Sequence, residues 1–237
     1  MKKHLIRLVM ASFFLPGALN AGDWGDLGKG IAPLAAPTSD CNTCLSYDYI
    51  DLNYIMNDFG TPYFQDGRGY GISFSKSLGC NFFFTGGFAD GSYDYDWVGH
   101  IVPVETQRFR LGLGARVSIG ECVDLTFEGG AQHLDAEFGA GYADHDYDSW
   151  GYYVGPGIRA RAGRLEAYGK LLFTSNEGDL SQYYLSHHTT VHRRVDQDGW
   201  LFTPGIIFHV NDVLALKAGA EIDELDSSFL FGARFHY

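Results

Sequence analysis

Arg108-Phe109-Arg110-Leu111-Gly112-Leu113-Gly114-Ala115-Arg116-Val117-Ser118-Ile119 is the stretch that decides the fold. Phe109, Leu111, Leu113, Ala115, Val117 and Ile119 alternate with Arg108, Arg110, Gly112, Gly114, Arg116 and Ser118. A period of two puts these sets on opposite faces of an extended strand; a helix would mix them. A strand with one hydrocarbon face and one face of arginine and glycine has two homes. In a soluble sandwich the hydrocarbon is buried against a second sheet. In a membrane barrel it faces lipid and the charges face the lumen.

The same rhythm spreads in both directions. Upstream, Ile50, Leu52, Tyr54 and Met56 oppose Tyr49, Asp51 and Asn53. Phe82, Phe84 and Phe88 keep the alternation, and Phe83 breaks it. Downstream, Trp150, Tyr152, Val154 and Ile158 oppose Gly151, Gly155, Gly157 and Arg159, and Leu214, Leu216, Ala218 and Ala220 oppose Lys217, Gly219 and Glu221. Ten strands follow, near 46–57, 67–78, 81–90, 105–119, 122–135, 148–162, 164–175, 198–210, 213–223 and 226–237. Most reach the roughly 9–11 residues that a tilted strand needs to cross a bilayer, against the five or six or so of soluble strands.

The connections separate the two homes. Tight turns fall at Gly79-Cys80, Gly120-Glu121, Gly163-Arg164 and Asn211-Asp212. Long connections fall between them, at 58–66, 91–104, 136–147 and 176–197, with a short one at 224–225. Turns at one end and loops at the other is the arrangement of barrels that cross a bacterial outer membrane. The expected fold is all-β: a closed antiparallel transmembrane β-barrel of ten strands, with 46–57 pairing 226–237. Eight strands, with 46–78 outside, is the alternative. On this facing, Leu113→Arg should impair insertion and Gly114→Ser should be tolerated.

The N-terminus agrees with export. Lys2, Lys3 and Arg7 precede an apolar stretch to Leu19, and Ala18-Leu19-Asn20-Ala21 offers a cleavage site. Residues 1–21 read as a secretory signal peptide. Removing them leaves 14 basic against 29 acidic residues, a net charge of −15. Nucleic acid is therefore not an expected partner, since clustered positive charge supplies most of that affinity. No other apolar run approaches the roughly 18 residues of a membrane helix. The chain holds 15 Tyr and 18 Phe but only 7 Pro, which suits strands with aromatic girdles.

The last strand, Phe229-Leu230-Phe231-Gly232-Ala233-Arg234-Phe235-His236-Tyr237, resembles the terminal strand of small bacterial outer-membrane β-barrels, which ends on an aromatic residue after alternating apolar ones. Tyr47 to Tyr54 with Gly69-Tyr70-Gly71-Ile72 is similar to the OmpA-like transmembrane, porin-type class. The resemblance covers residues 46–237 as a pattern. It implies that Phe229, Phe231, Phe235 and Tyr237 are an assembly signal for the barrel-assembly machinery. It implies lipids and lipopolysaccharide as surroundings. It does not select a role, because this fold carries adhesins, enzymes, pores and anchors.

Three groups of residues are candidates for function. The polar faces carry Arg108, Arg110, Arg116, Arg159, Arg161, Lys170, Lys217 and Arg234 against Asp51, Asp124, Glu128, Glu166 and Glu221. In a narrow lumen such charges must pair or meet water. A structural charge network is the favoured reading, and a thin, weakly anion-preferring diffusion pore, with room left by inward glycines, is the alternative. The second group is in the loops. Asp94-Tyr95-Asp96-Trp97 and Asp146-Tyr147-Asp148-Ser149-Trp150 bring acids together without a cation-loop spacing, and Trp97, Trp150 and Trp200 suit a headgroup girdle. His187, His188, His192, Arg193 and Arg194 make the 176–197 loop basic and able to meet lipopolysaccharide phosphates. His187 and His188 with Asp96 leave an outer-membrane enzyme acting on lipid or peptide, as in omptin-type proteases, as the third function. No catalytic motif, metal site or cofactor is expected, and the surface ligand is open.

The third group is Cys41, Cys44, Cys80 and Cys122, all at the turn end. An oxidising compartment favours disulfides. Residues 22–45 are expected at or across the periplasmic mouth, held by at least one of them. Cys41–Cys44 with Cys80–Cys122 is the local pairing; bridging the segment to the turns would clamp it as a plug. The leading function is a non-enzymatic outer-membrane barrel with a structural or adhesin-like surface role.

Overall fold

The computed structural model describes residues 44–58, 67–97, 100–139, 143–184, 189–223 and 227–237. Ten strands fill them: β1 Tyr49–Asp58, β2 Gly67–Leu78, β3 Phe82–Trp97, β4 His100–Gly120, β5 Val123–Gly139, β6 Ala143–Ala162, β7 Leu165–Tyr184, β8 Thr189–His209, β9 Leu214–Ile222 and β10 Ser227–His236. Each pairs antiparallel with its neighbour in sequence, and β1 closes on β10, with Asp51 opposite Arg234 and Tyr54 opposite Phe231. The barrel has ten strands, and the eight-strand alternative is excluded because β1 and β2 are both wall strands. Closure leaves no sheet edge in the hydrocarbon, where an unpaired peptide group costs several kcal/mol or so. At the turn end Gly79 (φ 78°) and Gly163 (φ 58°) take left-handed conformations that a side chain would strain.

The barrel is inside-out relative to a soluble protein. Leu113, Val117, Phe127, Ile206 and Phe231 are all exposed, each by half or more of its surface, while Asp51, Asp124 and Glu166 are 0–1% exposed. A continuous outer belt of hydrocarbon with charges enclosed has lipid as its only consistent solvent. Trp150 and Trp200 stand on this outer face; Trp200 meets Phe173 edge-on at 5.4 Å, and Trp150 meets His133 at 4.6 Å. This is an integral barrel of the outer-membrane type.

The wall is uneven, which corrects the expected loops. β3 to β8 run 16–21 residues, and β1, β2, β9 and β10 run 9–12. Most of 91–104, 136–147 and 176–197 is strand rather than loop: Ser92 to Trp97 pair with Glu105 to His100, Ala136 to Gly139 with Tyr147 to Asp144, and Asn176 to Tyr184 with Gln197 to Thr189. In these extensions the ladder hydrogen bonds continue after the strict apolar alternation has faded, with Val102, Val104 and Tyr147 buried on the inner face. Twenty residues or so of strand span about 66 Å, twice the hydrocarbon thickness of about 30 Å. A half-cylinder of six strands therefore rises above the bilayer. The first strand also starts later than the expected 46: residues 45–48 are not strand but turn into the barrel mouth.

Candidate functional site

The lumen is filled from the periplasmic end upward. Cys44 is bridged to Cys122 in the β4–β5 turn, with Cα atoms 5.2 Å apart. That excludes the local pairing, in which each would have bonded a different cysteine, and it ties the chain ahead of β1 to the mouth. No described cysteine is free. Cys41 lies outside the described residues, as do residues 1–21 and nearly all of 22–45.

Above this tether Leu45 and Tyr47 are buried against Phe83, with the Tyr47 and Phe83 rings 4.8 Å apart. Phe83 breaks the outward alternation because β3 turns it inward onto this segment. Arginines hold the segment by its backbone: Arg116 Nη1 donates to Leu45 O at 3.4 Å and Arg161 Nη1 to Cys44 O at 3.4 Å, while Arg116 Nε anchors on Cys80 O of the β2–β3 turn at 2.6 Å. The Tyr47 ring lies between the Arg116 and Arg159 guanidiniums, 4.5 and 4.3 Å from its centroid. Burial pushes the Tyr47 phenol up despite the neighbouring Arg159, so it stays neutral. Asp124 accepts from Ser118 at 2.7 Å and faces Arg116 at 3.8 Å.

The next layer is one connected ion network. Asp51 accepts from Arg234 Nε at 2.7 Å and Nη2 at 2.9 Å, and from Lys217 at 2.8 Å. Glu166 accepts from Arg159 Nε at 2.8 Å and Nη2 at 2.6 Å, lies 3.2 Å from His209 Nε2, and reaches Arg234 at 3.9 Å. The strands β1, β6, β7, β9 and β10 are thus joined by ion pairs, and β8 joins them through the His209 contact. Above it Lys170 binds both oxygens of Glu128, at 2.9 and 2.8 Å. Each buried charge here has an opposite partner and directed hydrogen bonds, the condition under which burial is tolerable.

Four inward glycines, Gly112, Gly114, Gly205 and Gly219, hold rings rather than space. Tyr153 on β6 lies along Gly130 of β5 and Gly112 of β4, which share its register row, and a Cβ at Gly112 would overlap its hydroxyl. Tyr168 on β7 lies likewise over Gly205 and Gly219, its hydroxyl 2.6 Å from a Cβ at Gly219. Gly114 faces inward as expected, but a Cβ there would overlap the Phe83 ring. Gly114→Ser is therefore not a neutral change, because the glycine is the socket of a buried ring.

The filling stops at the level of Arg108 and Arg110. Arg108 Nη1 donates to Glu221 at 3.2 Å, and Arg110 Nη1 is 3.6 Å from the other Glu221 oxygen. Arg110 Nε donates to Gln132 at 3.1 Å, and Gln132 Nε2 to Asn176 at 2.7 Å. Above these groups opens a cavity of about 410 Å³, lined also by Thr106, Thr174, Gln197 and Ser228; a smaller one of about 190 Å³ lies beneath. The structure thus divides the thirteen lumen charges among several clusters, with Arg161 bonded to the carbonyls of Cys44 and Gly163. Gln132, Asn176, Tyr47, Tyr153 and Tyr168 complete the site and were not singled out by sequence. For Gln132, Tyr153 and Tyr168 the only signal was an inward register position; Asn176 fell in an expected loop, and Tyr47 lies ahead of β1, outside any register.

On the raised wall, Arg194 pairs with Glu177 and with Asp196, and His192 with Ser181 at 2.9 Å. His187 and His188 lie outside the described residues, as do the side chains of Asp96 and Trp97. No group of three His, Cys, Asp or Glu that could hold a metal occurs among the described residues. Phe229, Phe231, Phe235 and Tyr237 all point outward and are exposed.

No protein-family profile matches the chain, and no curated protein matches it. Solved structures do. The outer membrane protein OprG from Pseudomonas aeruginosa is similar over 84% of this chain and 99% of that one, with a TM-score of 0.50 at 10% identity. The translocator domain of the autotransporter NalP from Neisseria meningitidis covers 92% and 96% with a TM-score of 0.49 at 10% identity. The attachment invasion locus protein Ail of Yersinia pestis covers 81% and 100% with a TM-score of 0.41 at 13% identity. At such identities the OprG likeness speaks for the barrel fold alone.

Proposed function

We propose that this chain is a non-enzymatic outer-membrane barrel whose work is done at its extracellular end, in an adhesin-like or other surface-interaction role. The observation that carries this reading is the closed periplasmic end. Leu45 and Tyr47 are 1% and 2% exposed inside the mouth, tethered by Cys44–Cys122 and held by Arg116 and Arg161. A solute entering from outside would have to displace this segment and the Asp51–Glu166 network above it. The wall raised over the bilayer by β3 to β8 supports the same reading, because it carries polar surface outward that a simple pore has no need of. Lipopolysaccharide phosphates are the natural neighbours of Arg193 on this wall, and the barrel-assembly machinery is the expected reader of Phe229 to Tyr237.

The competing pore reading is tested by single-channel conductance in planar bilayers. The oxidised protein should be silent. Changing Cys41, Cys44, Cys80 and Cys122 together to serine, which removes every disulfide, should give intermittent openings. Steady conductance from the oxidised, unmutated barrel would overturn the proposal and favour the diffusion pore.

A further inference from the structure

The strand β8 runs 21 residues and its neighbour β9 only 9. Their ladder starts at Phe202, opposite Ile222, and among the described residues no strand pairs with that side of β8 above it. The backbone groups left over can be assigned. His209 N donates to Arg164 O on the β7 side, and Val210 N donates to Leu214 O on the β9 side. Hydrogen bonding alternates along an antiparallel strand, so odd-numbered residues of β8 bond β7 and even-numbered ones turn toward β9. Thr190, His192, Arg194, Asp196, Asp198 and Trp200 therefore present their N–H and C=O groups at a free edge. The edge is open on both faces: these six residues are exposed, and Val191 on the inward face is 46% exposed. A free edge is a template for another strand, and proteins usually blunt one with charge. Here the charges have an order. On the outward face the sequence runs His192, Arg194, Asp196, Asp198, basic before acidic.

We infer that this edge of β8 pairs antiparallel with the same edge of a second copy of the chain. A two-fold interface needs a surface that complements itself. With the two-fold axis at Val195, Arg194 lies opposite Asp196 and His192 opposite Asp198, each twice, and every one of these rows joins two even-numbered residues whose backbone groups are free. Moving the axis by one residue sets Arg194 against Arg194 or Asp196 against Asp196, and like charges directly opposite are unfavourable. A parallel, in-register pair has the same fault. Arg194 and Asp196 lie 3.5 Å apart within one chain, yet both side chains are 66% exposed and in reach of a neighbour. Antiparallel pairing inverts the second barrel. Copies in one membrane stand the same way up, so the partner belongs to a facing membrane. Contact from Thr190 to Trp200 then sets the two aromatic girdles roughly 25–35 Å apart. The inference rests on the reading that the barrel works at its extracellular end, and it names the partner as the protein itself.

The test uses the oxidised barrel in lipid nanodiscs, one barrel to a disc, followed by sedimentation and electron microscopy. Discs should pair face to face as their concentration rises, with the bilayers at that spacing. Arg194→Asp sets carboxylate against carboxylate and should weaken pairing by about fivefold or more. Arg194→Asp together with Asp196→Arg restores opposite signs and should restore pairing. Heat-modifiable gel migration checks that both variants are folded. A synthetic peptide of residues 189–201 should compete with pairing in the unmutated protein, which keeps the test alive if a variant is not folded. The peptide N-methylated at His192, Arg194 and Asp196 should not compete, and the one N-methylated at Val191, Arg193 and Val195 should. Discs that stay single at every concentration, or that join rim to rim, would overturn the inference. So would a double variant no better than the single one, or equal competition by the two methylated peptides. Conductance keeps the two readings apart: single discs from a silent barrel sink the pairing alone, and paired discs from a conducting barrel sink the closed lumen alone.

Discussion

The two ends of the lumen are built on the same alternation and behave in opposite ways. At the periplasmic end Asp51 and Glu166 gather Arg234, Lys217 and Arg159, and the carbonyls of Cys44, Leu45 and Cys80 take up guanidinium donors of Arg161 and Arg116. Phe83, Tyr153 and Tyr168 fill glycine sockets. At the extracellular end Arg108 and Arg110 share Glu221, and a cavity of about 410 Å³ remains. Both ends are rich in cations. What separates them is how far the chain itself fills the space: at the periplasmic end the tethered segment ahead of β1 enters the mouth and offers its carbonyls to Arg116 and Arg161.

The largest expected effect contrasts one carboxylate from each end. Asp51→Asn leaves the buried cations Arg234 and Lys217 without their shared carboxylate, and should cost about 3–5 kcal/mol. Glu221→Gln removes a partner from arginines that line an open cavity, and should cost about 1 kcal/mol or less. Urea unfolding in lipid vesicles, read by tryptophan fluorescence, compares them. Similar losses would erase the distinction between the ends.

The outer belt should be indifferent to that distinction. Leu113, 59% exposed on the outer face, should as Leu113→Arg cost roughly 2–4 kcal/mol near the bilayer midplane. The same unfolding series measures it. If the change is harmless, β4 does not face lipid there and both ends have been read on the wrong side of the wall.

Glycines give the finest comparison. Gly114→Ser drives a side chain into the Phe83 ring at the filled end and should cost about 1–3 kcal/mol. Gly199, level with the open cavity, has nothing within 4 Å of a Cβ, so Gly199→Ala should leave the unfolding midpoint unchanged or slightly raised. A loss at Gly199 matching that at Gly114 would mean that the upper lumen is filled too.

Much of the fold is legible in the residues. The step from Phe109 to Ile119 on one face and Arg108 to Ser118 on the other is a statement about a single strand, and so are Leu214 to Ile222 and Phe229 to Tyr237. Their outward and inward faces follow. The heights of β3 to β8 do not, because a ladder such as Asn176 to Tyr184 on Gln197 to Thr189 keeps its hydrogen bonds where the strict apolar alternation has faded. The candidate site is half legible. The thirteen lumen charges are visible as inward register positions, but Gln132, Asn176 and the ring-filled glycines are ordinary residues until their neighbours are known.

The sequence by itself determined the alternating strands and their hairpin order, the outward hydrocarbon and the compartment in which such a surface is stable. Those properties depend on the period-two pattern and on turn chemistry, which act within a strand or between consecutive strands. Tertiary structure alone decided that Cys44 meets Cys122, that Asp51 meets Lys217 across 166 residues, that Tyr168 rests on glycines of the next two strands, and that Arg108 and Arg110 have one carboxylate between them. These contacts cross the lumen or the wall between residues far apart in the chain. They depend on how all ten strands are staggered around the barrel, and no local alternation encodes that stagger.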